Sequence, residues 1–342
     1  MHRSIYLGLS ATFAALVCAT GVNAQAPEEF YKGRTIDMII GYAPGGSNDT
    51  YARILSNHMG KHIPGHPGIV IRNMPGAGSF LAVNQVYSAS PRDGTVIGLG
   101  APTIALDERL GTNGVRFKTK DLNWIGRTNS IVNIVMTWKT SPVKKIEDAF
   151  TRDVNLSGTG AGSTVSIYPN VLNKIVGTKF KLIMGYRGSS EAMLAMERGE
   201  AEGHSTSWEA VKTAHPAWIT DGSINNILQF GLTRHPEMKD VPTAIELAKT
   251  PEQKAILTAV MNATEVGTGF FTTPGVPADR LNTLRRAFDQ TMKDPDFLKE
   301  AEKMRVDIQP LTGEKLQELV ASVSDLSPEL TEKLRAAYVQ DQ

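Results

Sequence analysis

From Glu28 onward, apolar runs of strand length alternate with stretches whose apolar positions recur at helical spacing. The run beginning at Ile36 ends in the turn Pro44-Gly45-Gly46, and a helical pattern (Asp49, Ile54, Leu55, His58, Met59) starts at once. The device then repeats: Ile69–Met74 reads as a strand, Pro75-Gly76-Ala77-Gly78-Ser79 as a turn, and a helix is predicted from Phe80. Thr95–Gly100 is a further short strand, and Ile104–Leu110 a helix in an otherwise weak stretch. A second unit starts near Trp124. It has strands at Ile131–Trp138, Val154–Ser157, Phe180–Tyr186, Ala201–Ser205 and Asn226–Gly231, helices between them, and a third glycine turn at Gly158–Thr164. Beyond it come helices at Thr243–Ala248 and Pro251–Ala263 and a strand at Gly269–Thr273. Helices at Ala278–Met292 and Pro295–Met304, a short strand at Val306–Ile308 and two amphipathic helices close the chain.

Strands alternating with helices predict an α/β fold in which mainly parallel sheets are flanked by helices. The repeat of the pattern predicts two lobes with a ligand cleft between them. Residues 28–125 plus 232–342 are assigned to one lobe and 126–231 to the other, with the C-terminal helices left to either. A strand, a glycine turn and a helix N-terminus in that order leave backbone N–H groups without partners, and the helix dipole favours an anion there. The central expectation is that the first two turns lie side by side and hold a carboxylate by peptide N–H groups alone.

Composition narrows the picture. At 342 residues and 41% hydrophobic content the chain can bury a large core. A net charge of +1, evenly spread, leaves no basic stripe for nucleic acid. Arg3, the apolar run Ile5–Val17 and Val22-Asn23-Ala24 before Gln25 have the form of a secretory signal peptide, cleaved near Ala24. Cleavage removes Cys18, the only cysteine, so the mature chain has no disulfide; a periplasmic location is expected. No cofactor is expected, and a monomer is.

Several motifs together resemble the extracytoplasmic solute receptors of tripartite tricarboxylate transporters, the Bug proteins. They are Tyr31-Lys32-Gly33-Arg34, Pro44-Gly45-Gly46 with Asp49, Asn73 with Pro75-Gly76-Ala77-Gly78, and Asp93-Gly94-Thr95. Tyr186-Arg187-Gly188-Ser189, Asp240-Val241-Pro242-Thr243 and Pro274-Gly275-Val276-Pro277 continue the series in order. The resemblance implies a two-lobed, type II-like periplasmic binding fold that closes around a small organic acid and delivers it to membrane permease subunits. It places ligand contacts at Tyr42, Gly45, Gly46, Ser47 and Asp49 in the first turn and at Gly76, Ala77, Gly78 and Ser79 in the second. Asp49 is read first as a residue that orders the loop. In the second lobe, where many members have Gly-Thr-Ser-x-His, this chain has Gly162-Ser163-Thr164-Val165-Ser166. Where many have an aromatic-Asp-Asn triplet it has Ser205-Thr206-Ser207. Gly162, Ser163, Thr164, Ser205 and Thr206 are therefore the candidates to meet the far end of the ligand, and their hydroxyls suit a carboxylate, a hydroxyl or a bridging water.

Rival chemistries find little support. The turns lack the spaced third glycine of a dinucleotide site and any Gly-Lys-Ser/Thr. His58, His62 and His66 are spaced for one helix face, but Gly60 and Pro64 break that helix before a metal site forms. No nucleophile motif is present, so an enzyme is not expected. A carboxylate-sensing partner of a membrane sensor kinase is the alternative reading. Trp208 reads as core packing before ligand stacking, His204 as a neighbour of the ligand strand, and Arg127 and Arg187 as surface or hinge residues.

Overall fold

The computed structural model describes residues 27–160, 163–324 and 327–338. The predicted signal peptide and Gly162 lie outside the described residues. Eleven strands are named here in chain order: β1 (Thr35–Ile40), β2 (Gly68–Asn73), β3 (Val96–Leu99), β4 (Asn123–Arg127), β5 (Asn133–Trp138) and β6 (Val154–Ser157) come first. β7 (Phe180–Ile183), β8 (Gly203–Ser207), β9 (Ile224–Phe230), β10 (Gly269–Thr272) and β11 (Leu311–Thr312) follow.

These strands form two sheets, ordered β11-β4-β10-β3-β1-β2 and β7-β6-β8-β5-β9. In the first sheet β2, β1 and β3 are parallel, and β10 is inserted antiparallel between β3 and β4. In the second, β7, β6 and β8 are parallel, and β5 runs antiparallel between β8 and β9. Both sheets are thus mixed: β10 and the edge strand β11 oppose the others in the first, and β5 opposes its neighbours in the second. The expected strand at Val306–Ile308 is absent; the edge is made instead by Leu311–Thr312, paired with β4.

The chain crosses between sheets after β4 and returns before β10, and the two crossing segments hydrogen-bond to each other. Thr128 N–H donates to the Thr268 carbonyl at 3.2 Å, and Thr268 N–H to that of Asn129 at 3.1 Å. Helices then cover both sheets. Pro328–Tyr338 packs on Ile104–Leu110 beside the first sheet and on Thr164–Val176 beside the second. Arg335 Nε donates to the Leu110 carbonyl at 2.8 Å, and Lys174 Nζ to that of Ala336 at 2.9 Å. The last helix, left to either lobe by the sequence pattern, contacts elements beside both sheets.

Candidate functional site

The site begins with register. β1 and β2 are parallel neighbours with Ile40 opposite Asn73, so the turns that follow them leave the sheet at the same edge, side by side. Met74 N–H donates to the Ile40 carbonyl at 2.8 Å and extends the pairing one residue into the turns. Beyond that point Gly41 makes the approach possible. A Cβ on Gly41 would lie 2.4 Å from the Cβ of Ser79, so any larger residue forces the turns apart. In the sequence Gly41 is marked only as a glycine immediately after the strand.

Asp49 binds the turns together. It is 2% exposed, and its carboxylate accepts from Gly45 N–H at 2.8 Å, Arg53 Nε at 2.8 Å and Asn73 Nδ2 at 2.9 Å. Asn73 Nδ2 also donates to the Tyr42 carbonyl at 2.9 Å, which pins the first turn to the end of β2. Burial by itself would raise the Asp49 pKa, but the hydrogen bonds from Arg53, Asn73 and Gly45 outweigh it and hold the carboxyl below its ordinary range. Asp49 is an internal brace, with its oxygens already engaged. This corrects one expectation for the site: Gly45 N–H is spent on Asp49 and is not free for a ligand.

The neighbouring donors are free. The helix Ser47–Met59 has Gly46 at its N-cap with no side-chain cap. Gly46, Ser47 and Asn48 N–H have no acceptor among the described residues, as expected of a helix N-terminus; Thr50 N–H is the first to bond back, to the Gly46 carbonyl at 3.0 Å. In the second turn Ser79 N–H donates to the Gly76 carbonyl at 3.0 Å and Phe80 N–H to that of Ala77. Gly76, Ala77 and Gly78 N–H have no such partner. Ala77, Gly78 and Ser79 hold φ of 47°, 63° and 78°, three left-handed residues in a row, two of which carry a Cβ. Such strain costs roughly 1–3 kcal/mol per non-glycine residue and collects at functional sites. Tyr42 closes the floor: its hydroxyl donates to the Gly100 carbonyl at 3.4 Å, and burial raises its pKa against a smaller lowering by Ser79.

The second-lobe candidates are arranged differently. Ser163 caps the helix Thr164–Val176: its side chain accepts from Val165 N–H, and its own N–H donates to the Gly160 carbonyl at 3.0 Å. Ser205 and Thr206 sit within β8, opposite Val135 and Ile134 of β5, and are 1% and 3% exposed. The Ser205 hydroxyl is buried, with no hydrogen-bond partner among the described residues. Among the described residues, no hydrogen bond links these four residues to the first-lobe turns.

His204, Trp208, Arg127, His58 and His62, singled out in the sequence, have structural partners. His204 is buried, with Nδ1 2.8 Å from the Ser157 carbonyl, and burial pushes its pKa down to about 4. Trp208 packs among Ile134, Met136 and Met193 and donates through Nε1 to Glu237. Arg127 pairs with Glu265 at 3.2 Å. His58 and His62 face carboxylates of the helix Pro295–Lys303 and its cap, at 2.6 Å from Glu300 and 2.7 Å from Asp294.

Comparison with known proteins agrees with this architecture. The family described as TctC, tripartite tricarboxylate transporter family receptor, matches residues 51–335. A Cupriavidus necator protein, "UPF0065 protein in gbd 5'region", is 25% identical over 348 residues, covering 99% of each chain. The structure of the periplasmic binding protein BugD superposes with a TM-score of 0.67 at 21% identity, over 91% of this chain and 100% of that one. The R. palustris protein Rpa4515, solved with adipate, gives a TM-score of 0.66 at 18% identity, over 88% and 97%. A family match over most of the length, with the same two-sheet fold, has one consequence: the chain belongs to the tripartite tricarboxylate transporter receptor family.

Proposed function

We propose that this protein is a periplasmic receptor that captures a small carboxylate between its lobes and presents it to the permease subunits of a tripartite transporter. The observation that carries this reading is the pair of adjoining turns with unpaired amides. Gly46, Ser47 and Asn48 in one and Gly76, Ala77 and Gly78 in the other offer N–H donors and a helix N-terminus to an anion, with no cationic side chain required. Asp49 serves as the brace that fixes the donors before ligand arrives, which lowers the entropy lost on binding. The adipate in the related structure supports an organic acid as the ligand class. In the second lobe Ser163, Thr164, Ser205 and Thr206 read the far end of that acid when the lobes close. The lobes follow the two sheets, and the leader before Gln25 directs export.

A thermal-shift screen of organic acids against the mature chain identifies the ligand, since binding to the native state alone raises the melting temperature. Gly46→Leu is the decisive variant. Gly46 has an ordinary extended φ of −82°, and a Cβ there meets nothing closer than 4.0 Å, so the fold accepts a side chain that covers the donors. Calorimetry is expected to show affinity for the hit lost at least tenfold with the melting temperature of the free protein unchanged. Undiminished affinity in this variant contradicts the proposal.

A further inference from the structure

The helix Trp208–Ala214 follows β8 directly and packs across the cleft on the helix Ser47–Met59, whose N-terminus is the first glycine turn. Between them lies a cluster of charged groups that the ligand reading leaves unused. Lys212 of the second lobe pairs with Asp307 of the first and lies 3.3 Å from Glu237. The Tyr51 hydroxyl donates to the Asp307 carbonyl at 2.9 Å. Glu209 faces this cluster, 4% exposed, and its Oε2 has no hydrogen-bond partner among the described residues.

The charges do not balance. Asp307, Glu237 and Glu209 surround one lysine, and the remaining titratable neighbours are Tyr51 and His235. Burial lowers the His235 pKa, which favours its neutral form, and raises that of Tyr51. The carboxyl groups of Asp307 and Glu237 keep 39% and 49% of their side-chain surface in water, which screens them. Glu209 does not share that relief. A buried carboxylate with one unpaired oxygen beside two others is the member of the set that water cannot stabilise.

We propose that closing the lobes transfers a proton from solvent to Glu209, so that closure and ligand capture are proton-linked. When the lobes part, Lys212 leaves Asp307, Tyr51 withdraws and Glu209 regains water, where it gives the proton back. The sign follows from burial, which pushes its carboxyl from the ordinary 4.5 up to about 7 in the closed arrangement. Closure takes up a proton between those limits, so the closed state is favoured by acid and weakened as pH rises toward 7. This inference rests on the two-lobed receptor reading, but its first two tests need no ligand.

Infrared difference spectroscopy of the mature chain between pH 6 and pH 8 is expected to show protonated carboxylic acid absorbance that Glu209→Gln reduces, leaving the part contributed by the buried Asp107. Small-angle scattering of the free protein is expected to show the wild type more expanded at pH 8 than at pH 6, and Glu209→Gln compact at both. Titrated with the probe adipate, the wild type is expected to lose about tenfold in affinity between pH 6 and pH 8 and Glu209→Gln almost none. Superimposable wild-type scattering at the two pH values, or a scattering or affinity response to pH that survives Glu209→Gln, overturns the proposal. If no organic acid binds while the infrared and scattering changes appear, the carboxylate-receptor reading fails and the proton-linked closure stands.

Discussion

At the scale of single residues, the account rests on side chains that prepare peptide groups for binding without touching the ligand. Asp49 is the clearest. Replacing it with alanine strands Gly45 N–H and removes one partner each from Asn73 Nδ2 and the half-exposed Arg53, and a lost buried partner costs about 1–3 kcal/mol. Asp49→Ala is expected to lower stability in urea by about 2 kcal/mol and to weaken acid binding more than tenfold, with Asp49→Asn intermediate in both; a binding-neutral Asp49→Ala removes the brace from the account. Ala77 makes the opposite case. Its φ of 47° suits glycine better than alanine, so Ala77→Gly relieves strain of about 1 kcal/mol while freeing the loop. The variant is expected to melt no lower than the wild type but to bind more weakly, measured by calorimetry beside a thermal melt. Much of this was legible in the chain: Pro-Gly-Gly and Pro-Gly-Ala-Gly announce turns, and Asp49 near a helix start announces a cap-like role. The role of Gly41 was not, because it depends on a contact with Ser79 across the sheet that no local pattern encodes.

At the scale of elements, parallel pairing of β1 and β2 is what converts two ordinary turns into one site. Gly41→Val is therefore expected to separate the turns and reduce binding even though the side chain lies outside the donor set; crystal structures of the variant with intact turn spacing speak against it. The first-lobe strands and their turns could be read from apolar runs ended by glycine, since β1, β2 and β3 are local in sequence and follow one another across helices. The insertion of β10 between β3 and β4 could not. Its partners lie more than a hundred residues away, and an apolar run carries no information on which distant strand it will join. The same holds at the edge, where Leu311–Thr312 and not Val306–Ile308 pairs with β4. Glu209 was equally hidden: an acid in the first turn of a helix reads as a surface complement to the helix dipole, and nothing local announces that this helix packs on the distant helix Ser47–Met59.

At the scale of the whole molecule, paired crossing segments and a shared C-terminal helix join the two sheets. The pH response of the molecule is a sum of opposed terms. His204 is held neutral by burial, with its pKa down to about 4, so the unfolded chain binds the extra proton and stability is lost as pH falls from 6.5 to 4. Asp107 and Glu209, raised by burial to about 6 and about 7, bind the extra proton in the folded state, so their contribution is lost as pH rises through those values. Replacing His204 with glutamine is expected to recover up to about 3 kcal/mol at pH 4 relative to pH 7, read as a narrowing gap from the wild type in urea unfolding at the two pH values. A gap that stays constant shows that His204 is not the group responsible. The claim beneath all of this is that the amides of the two turns are the anion's ligands. Amide-resolved NMR of the mature protein, titrated with the acid found in the screen, tests it most directly. The account predicts that the Gly46, Ser47, Ala77 and Gly78 amide protons move downfield together as the acid saturates, while Gly45, bonded to Asp49, moves least. Saturation of the acid with those four resonances unmoved contradicts it.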